Sequence, residues 1–398
     1  MAGRAKDSMW YAVWHWYMKR CMDLFYRRIE VQGKDNIPLD KPILFASNHT
    51  NALMDPLVIS CHSGIQHYFM TRGDVFKKKL IGDLFRSWRM LPIFRMKDGI
   101  ETLAQNNPVM DFVIDRLKNG YSIIIFAEGS HFWNQTVQPL KKGLVRIAFE
   151  VLNQDPNTEL VVVPVGLHYN DMVRTNQDAL VSFGKPISVK NFPKEESEQK
   201  TYLQFNKQLR EKMKELIVNI EPGELAEKKN QLRKELESSL LYLEVKDSFK
   251  LQQKLIQLMD RLEAEDPTKL ASVANLDDLT EAIGEDKMEE LNQARYNKPG
   301  GDNLFYFLKL PLYILASINF ILVFLVGKKL LSGVKDRTFH NSIKFGLAMV
   351  VAPIFAMIQG GILAVVLGSF WYFVLYLALM PVWGALFSEF TGRRKLVL

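Results

Sequence analysis

Apolar and polar positions divide the chain into four stretches with different spacing. Residues 9–29, MWYAVWHWYMKRCMDLFYRRI, are rich in Trp and Tyr and end on basic residues. They lack the roughly 20 uncharged apolar positions that a spanning helix needs. The pattern predicts a helix at a membrane interface, with Lys19, Arg20, Arg27 and Arg28 in reach of lipid phosphates. An amphipathic helix packed on the protein's own core would read the same way.

From about 42 to 187, short β-like runs alternate with helical stretches, which predicts an α/β fold, a mixed sheet covered by helices. The strand candidates are 42–47, 66–70, 122–127, 160–167 and 180–183. Several are apolar without alternation, as in strands buried on both faces. Helices are predicted over 56–62, 75–88, 99–118 and 142–153. Residues 195–295 then read as two or more long polar helices with leucine at helical spacing, punctuated by Gly223 and Pro267. They carry no motif with chemistry and suit packing or spacing.

Apolar segments follow at 304–326, 345–367 and 369–388, each long enough to span a bilayer. The loop between the first two carries Lys328, Lys329, Lys335, Arg337 and Lys344 against Asp336, and the tail carries Arg393, Arg394 and Lys395. Both favour the cytoplasmic side. If 345–388 is a hairpin, the first segment must enter and leave on one face; as a true span it would put the tail outside. Lys309, Pro311 and Asn319 fit the re-entrant or interfacial reading. The expected organisation is an interfacial helix over 1–30, a catalytic domain over 31–194, a charged helical region over 195–300 and a membrane region over 301–398.

Composition refines this pattern. Hydrophobic residues make up 48 % of the 398, and the formal charge of +7 suits nucleic acid or an anionic membrane surface. Basic residues recur beside aromatic and apolar ones at both ends, which favours lipid headgroups. No helix-turn-helix or aromatic RNA-binding signature accompanies them, so nucleic acid is not an expected partner. Two cysteines, Cys21 and Cys61, supply neither a disulfide framework nor a Cys-based metal site. The first twenty residues do not read as a cleaved signal peptide.

The candidate chemistry starts at NHTNALMDP, residues 48–56. His49 follows the first predicted strand, and Asp55-Pro56 reads as a helix start with aspartate as the cap. A carboxylate there is stabilised by N–H groups and could take the ring N–H of His49, leaving the other nitrogen as a base. A structural cap beside an incidental histidine is the alternative.

Three more blocks occur in order, and with them residues 30–190 resemble the glycerophospholipid acyltransferase superfamily, the PlsC-like enzymes. SNHTNALMDP is similar to its His-Asp motif, MLPIFRMKDG to its second block, IIIFAEGSH to its Glu-Gly block and VVVPVGLHY to its fourth. The resemblance implies an acyl donor, acyl-CoA or acyl-ACP, with no cofactor and no metal. It also implies His49 as general base steadied by Asp55, and an acceptor site that includes Arg95, Glu128 and Gly129. Ser130 in the same block and Lys141, ahead of the next helix, are further candidates for substrate binding. Arg95 as a surface ion-pair partner, Glu128 as a helix-cap partner and Lys141 as plain exposed charge are the structural alternatives.

Two features depart from the commonest family pattern. Five residues separate His49 from Asp55 instead of four, and EGSH stands for Glu-Gly-Thr-Arg, so Ser130 and His131 replace Thr and Arg. Both resemble a subset that includes fungal-type glycerol-3-phosphate acyltransferases. The leading expectation is a membrane-bound O-acyltransferase of phospholipid synthesis acting on 1-acyl-sn-glycerol-3-phosphate (lysophosphatidate), with the catalytic domain on the cytoplasmic face. Glycerol-3-phosphate is the second acceptor, and a non-catalytic lipid-binding protein is the alternative of a different class.

Overall fold

The structure is a computed structural model that describes residues 9–94, 106–132, 135–297 and 302–393. Arg95 and the predicted helix start at 99 lie outside the described residues.

The apolar runs with little alternation become the centre of an eight-stranded mixed sheet. The strands are β1 (Arg28–Gln32), β2 (Ile43–Ser47), β3 (His67–Arg72), β4 (Met90–Ile93), β5 (Ser122–Phe126), β6 (Val161–Tyr169), β7 (Asp178–Phe183) and β8 (Ile187–Ser188). Their order is β1-β7-β6-β2-β5-β3-β4, with β8 also on β6. Pairing is parallel except where β7 and β8 meet β6. β2 and β6 are buried along their whole length, because helices cover both faces.

Successive residues of β2 serve opposite layers. Ile43 and Phe45 meet Met18, Met22 and Phe25 of α1 (Met9–Phe25) and Val58 and Ile59 of α2 (Met54–His62). Leu44 and Ala46 meet the layer of α4 (Asn106–Lys118), α5 (Lys142–Gln154) and α6 (Glu198–Lys214), where Leu117, Ala148 and Phe205 are buried. α3 (Lys79–Ser87) follows β3 and leads into β4. Pro164 sits in central β6, where a missing N–H would ordinarily break a ladder. Gly184 lies opposite, in the gap between β7 and β8, and donates to the Pro164 carbonyl at 2.8 Å, so the irregularities coincide.

α1 uses both of its surfaces. Trp14 stacks on Trp88 with centroids 4.4 Å apart, whereas Trp10, Val13 and Trp16 stay exposed. One face of the helix is therefore packed on the protein's own core, and the other is the face that the interfacial reading needs exposed.

The polar stretch forms further helices after α6: α7 (Ala226–Ser239), α8 (Val245–Glu265), α9 (Pro267–Ser272), α10 (Leu276–Ile283) and α11 (Glu285–Tyr296). Their leucines build a third core. Charge joins that core to the sheet: buried Glu237 of α7 accepts from Arg233 and meets His168 of β6 at 3.4 Å. Glu30 of β1 accepts from the N–H groups of Val245 and Lys246, holding the start of α8.

The last quarter holds α12 (Asp302–Leu331), α13 (His340–Gly346), α14 (Ala352–Val366) and α15 (Phe370–Arg393). Three stretches are long and apolar enough to cross a membrane: Phe307–Leu331, Arg337–Val366 and Phe370–Gly392. α14 and α15 form a hairpin in which Phe373 and Tyr376 pack within 3.2 Å of where a Cβ on Gly360 would stand. The hairpin base returns to the sheet domain: Gly392 approaches Thr175, Phe345 packs edge-on against Phe25, and Tyr17 donates to the Met349 carbonyl.

Candidate active site

The site forms where β2 and β5, paired side by side, release the chain at their carboxyl ends. Asn48 prolongs the sheet by one step. Its side-chain amide donates to the Leu167 carbonyl at 3.0 Å and its Oδ1 accepts the Leu167 N–H at 2.8 Å, imitating a strand partner on β6. That bond pair fixes the direction in which His49 leaves the strand.

His49 Nδ1 lies 2.8 Å from Asp55 Oδ2. The structure corrects one expectation here. Asp55 is not the helix cap; α2 begins at Met54, and Asp55 lies inside the first turn with its carboxylate turned back over the preceding loop. There Oδ2 also accepts the N–H groups of Thr50 and Asn51, each at 2.8 Å, and Oδ1 accepts the Tyr169 hydroxyl at 2.8 Å. Burial first, and then the Asp55 charge, push the Tyr169 hydroxyl well above the usual phenol range, so it stays a donor. With both carboxylate oxygens committed to donors, Nδ1 carries the ring hydrogen and Nε2 keeps a free lone pair. The His49 side chain is 17 % exposed and Asp55 is fully buried, so the imidazole has an open edge and the carboxylate does not.

The loop between them carries Ala52 at a φ of 40°, a left-handed conformation that a Cβ resists. Ala52 is the residue at which the chain turns back so that the Asp55 carboxylate faces His49.

Glu128 lies two residues past the end of β5 and is buried. Its Oε2 accepts the His49 N–H at 3.2 Å and its Oε1 the Gln138 N–H at 3.0 Å. Burial pushes its carboxyl up to about 7, against the pull of those two hydrogen bonds. Glu128 thus grips the backbone of His49 and faces inward. Gly129 follows at a φ of +76°, and a Cβ there would stand 3.1 Å from the Lys141 side chain. Lys141 therefore arches over the glycine, anchored by its own N–H on the Ala127 carbonyl at 2.7 Å. Ser130 is half-buried beside them.

The His49 ring is sandwiched on one side by Phe126, nearly parallel at 4.0 Å, and met edge-on by His131 at 5.6 Å. The His131 ring is held by Asp336, 2.9 Å from Nε2, and by the edge of Phe339. The sequence blocks thus bring together His49, Asp55, Glu128, Gly129, Ser130 and Lys141. Tyr169 and Asn48 lay inside quoted motifs without being singled out. Asp336 carried no signal, because its partner is 205 residues away.

Residues 28–168 match the family described as Acyltransferase. An uncharacterized acyltransferase of Schizosaccharomyces pombe is 20 % identical over 258 residues, covering 44 % of this chain and 38 % of that protein. Glycerol-3-phosphate O-acyltransferase 2 of Saccharomyces cerevisiae is 31 % identical over 84 residues, 21 % of this chain and 11 % of that one. A chloroplastic 1-acyl-sn-glycerol-3-phosphate acyltransferase of Brassica napus is 27 % identical over 146 residues, 36 % of this chain and 38 % of that one. The chain spans no more than 38 % of the length of any of these relatives. Among solved structures, the 1-acyl-sn-glycerophosphate acyltransferase PlsC of Thermotoga maritima is similar at 22 % identity and a TM-score of 0.38, covering 52 % of this chain and 79 % of that one. The match to the Acyltransferase family thus takes in sheet strands and motif blocks within residues 28–168, about a third of the chain.

Proposed function

We propose that the protein is a membrane-bound O-acyltransferase of glycerophospholipid synthesis that uses His49 as general base. The observation carrying this reading is the His49–Asp55 contact at 2.8 Å, with Asp55 fully buried and saturated by donors. His49 Nε2 takes the proton of an acceptor hydroxyl as its oxygen attacks the carbonyl carbon of an acyl thioester. The tetrahedral adduct collapses by breaking the C–S bond, and the imidazolium returns its proton to the thiolate of coenzyme A or the carrier protein. Ester and thiol are the products, and no acyl-enzyme is required. Asp55 steadies the transient imidazolium and fixes the tautomer.

Lysophosphatidate is the proposed acceptor, with its phosphate near Lys141 and Arg95. Glycerol-3-phosphate is favoured as a second reading by the five residues between His49 and Asp55 and by His131 in place of an arginine. The catalytic domain faces the cytoplasm in this reading, since the basic loop that carries Asp336 lies against it.

The deciding experiment presents purified protein with acyl-CoA and acyl-ACP against each acceptor in turn. We expect turnover with lysophosphatidate and a loss on the order of 10² to 10⁴ for His49→Ala. Full turnover in His49→Ala would overturn the proposed base, and preferred turnover of glycerol-3-phosphate would replace the acceptor.

A further inference from the structure

A cavity of about 920 Å³ lies between the sheet domain, α7 and parts of α12, α13 and α15; Tyr169, the donor to Asp55, is in its lining, whereas His49 is not. Its volume is in the upper range of small-molecule sites. One wall is apolar, made by Phe320, Val323 and Phe324 of α12 with Leu347, Met380 and Phe387. The lining is also cationic: it holds five Arg and Lys side chains against two carboxylates. Both carboxylates are already engaged, Asp171 by Arg174 and Glu237 by Arg233. Lys234, Arg337 and Lys344 are left without an ion-pair partner among the described residues.

Lys344 donates to the Val173 carbonyl at 2.9 Å, and an apolar slot that also holds cations in excess of carboxylates is complementary to an amphiphile with an anionic head. Its apolar wall comes from the candidate membrane spans, so the occupant can enter from a bilayer. Charges grouped beside membrane helices are where phospholipid headgroups bind, and a guanidinium fork matches phosphate oxygens. His49, Phe126, Glu128 and Gly129 do not line this cavity, so a lipid seated there does not present a hydroxyl to the base.

We propose that this cavity holds one anionic glycerophospholipid taken from the bilayer, with its phosphate on Arg337, Lys344 and Lys234 and its chains between α12 and α15. The lipid is retained and not consumed. This proposal stands whether or not His49 is a general base.

The test reconstitutes the full chain in phosphatidylcholine vesicles containing a photoactivatable phosphatidylglycerol, which is neither proposed acceptor nor product. Crosslinks are expected to concentrate at 320–324, 347–353 and 380–388. Unlabelled phosphatidylglycerol should compete, whereas added phosphatidylcholine and inorganic phosphate should not. At about 1 kcal/mol per cation, Lys234→Gln and Arg337→Gln should each weaken labelling about fivefold. Val323→Trp, which fills the slot without changing charge, should abolish it while the thermal transition persists. His49→Ala should label as the unmodified protein does. Equal competition by phosphatidylcholine, protection by inorganic phosphate at similar strength, or crosslinks spread over all lipid-facing helix surfaces would each overturn the proposal.

Discussion

His131 and Asp336 join the Glu-Gly block of the sheet domain to the loop between the first two apolar helices, 2.9 Å apart across 205 residues of chain. Asp336 is held on both sides. Oδ2 takes the His131 ring, while Oδ1 accepts the N–H and hydroxyl of Thr338 at 3.0 and 2.7 Å. Burial raises its carboxyl, but these donors outweigh that and hold it below the usual range. His131 in turn meets the edge of His49. The membrane region thereby sets one wall around the candidate base.

If this contact positions His131, then His131→Ala and Asp336→Ala should lower kcat/KM by similar factors, and the double variant should lose little more. For a partly exposed pair the coupling should be on the order of 0.2–1 kcal/mol. A double-mutant cycle with activity and thermal stability as readouts checks it. Strict additivity would show that the two side chains act independently.

Glu128 should be less replaceable than its inward position suggests. Its two oxygens accept two backbone N–H groups, and in Glu128→Gln one of those donors must face the new NH₂. An unmet buried donor costs about 1–3 kcal/mol, and the displaced backbone is that of His49. We expect kcat to fall on the order of 10-fold to 10²-fold, as small misplacements of a reacting group do.

The same residue predicts a pH dependence. Unfolded Glu ionises near 4.3, whereas in the fold burial pushes Glu128 up to about 7. Between those values the folded state holds a proton that the unfolded state has lost, so the contribution of Glu128 to stability falls as pH rises and levels off above about 7. Glu128→Gln lacks this titration. The Tm of the unmodified protein relative to that of the variant should therefore fall from pH 5 to pH 7 and then stay constant; a relative Tm that rises over that interval would refute the assignment.

How far the sequence carried this site depends on how local each interaction is. The buried runs 43–47, 122–126 and 161–169 announced themselves because two-sided burial demands continuous apolar residues. β1 and β4 did not: Arg28–Gln32 is a half-buried edge strand fused to an aromatic run, and Met90–Ile93 contains Pro92. His49 and Asp55 were legible because they stand in one motif, yet the helix start was placed at the wrong residue. Asp-Pro imitates a cap, while the actual carboxylate bonds run backwards to Thr50 and Asn51. Asp336 and the paired ends of Arg233, Glu237 and His168 were invisible, since their partners are set by tertiary packing alone.

Ala52 offers a sharp contrast between two small substitutions. At its φ of 40° an L-residue is penalised by roughly 1–2 kcal/mol, most of which glycine escapes at some cost in unfolded-state entropy. Ala52→Gly should be neutral or stabilising by up to about 1 kcal/mol, with activity kept. Ala52→Val puts a β-branched side chain into the same conformation at a buried position and should destabilise clearly. Denaturant midpoints of the two variants check the order, and a more stable valine variant would mean that the loop does not turn at this residue.

The path of α12 leads to the last prediction. Lys309, Tyr313, Phe320 and Phe324 lie along about 22 Å of that helix at 1.5 Å per residue, yet all reach Phe387, Glu389 or Phe390 near the end of α15. Higher up α15, Tyr376 donates to the Asn319 side chain of α12 at 2.9 Å. The loop after α12 touches His131, and the last turn of α15 touches Thr175. In the re-entrant reading both ends of α12 stay on the side of the sheet domain, with exposed Phe307, Ile318 and Leu322 in the apolar layer. In sealed vesicles, single cysteines replacing Asn297 and Ser332 should react with an impermeant maleimide from the side of the catalytic domain. Ser369→Cys, at the hairpin turn, should react only from the other side. Labelling of positions 297 and 332 from opposite sides would make α12 a true span and place the carboxyl-terminal hairpin the other way round.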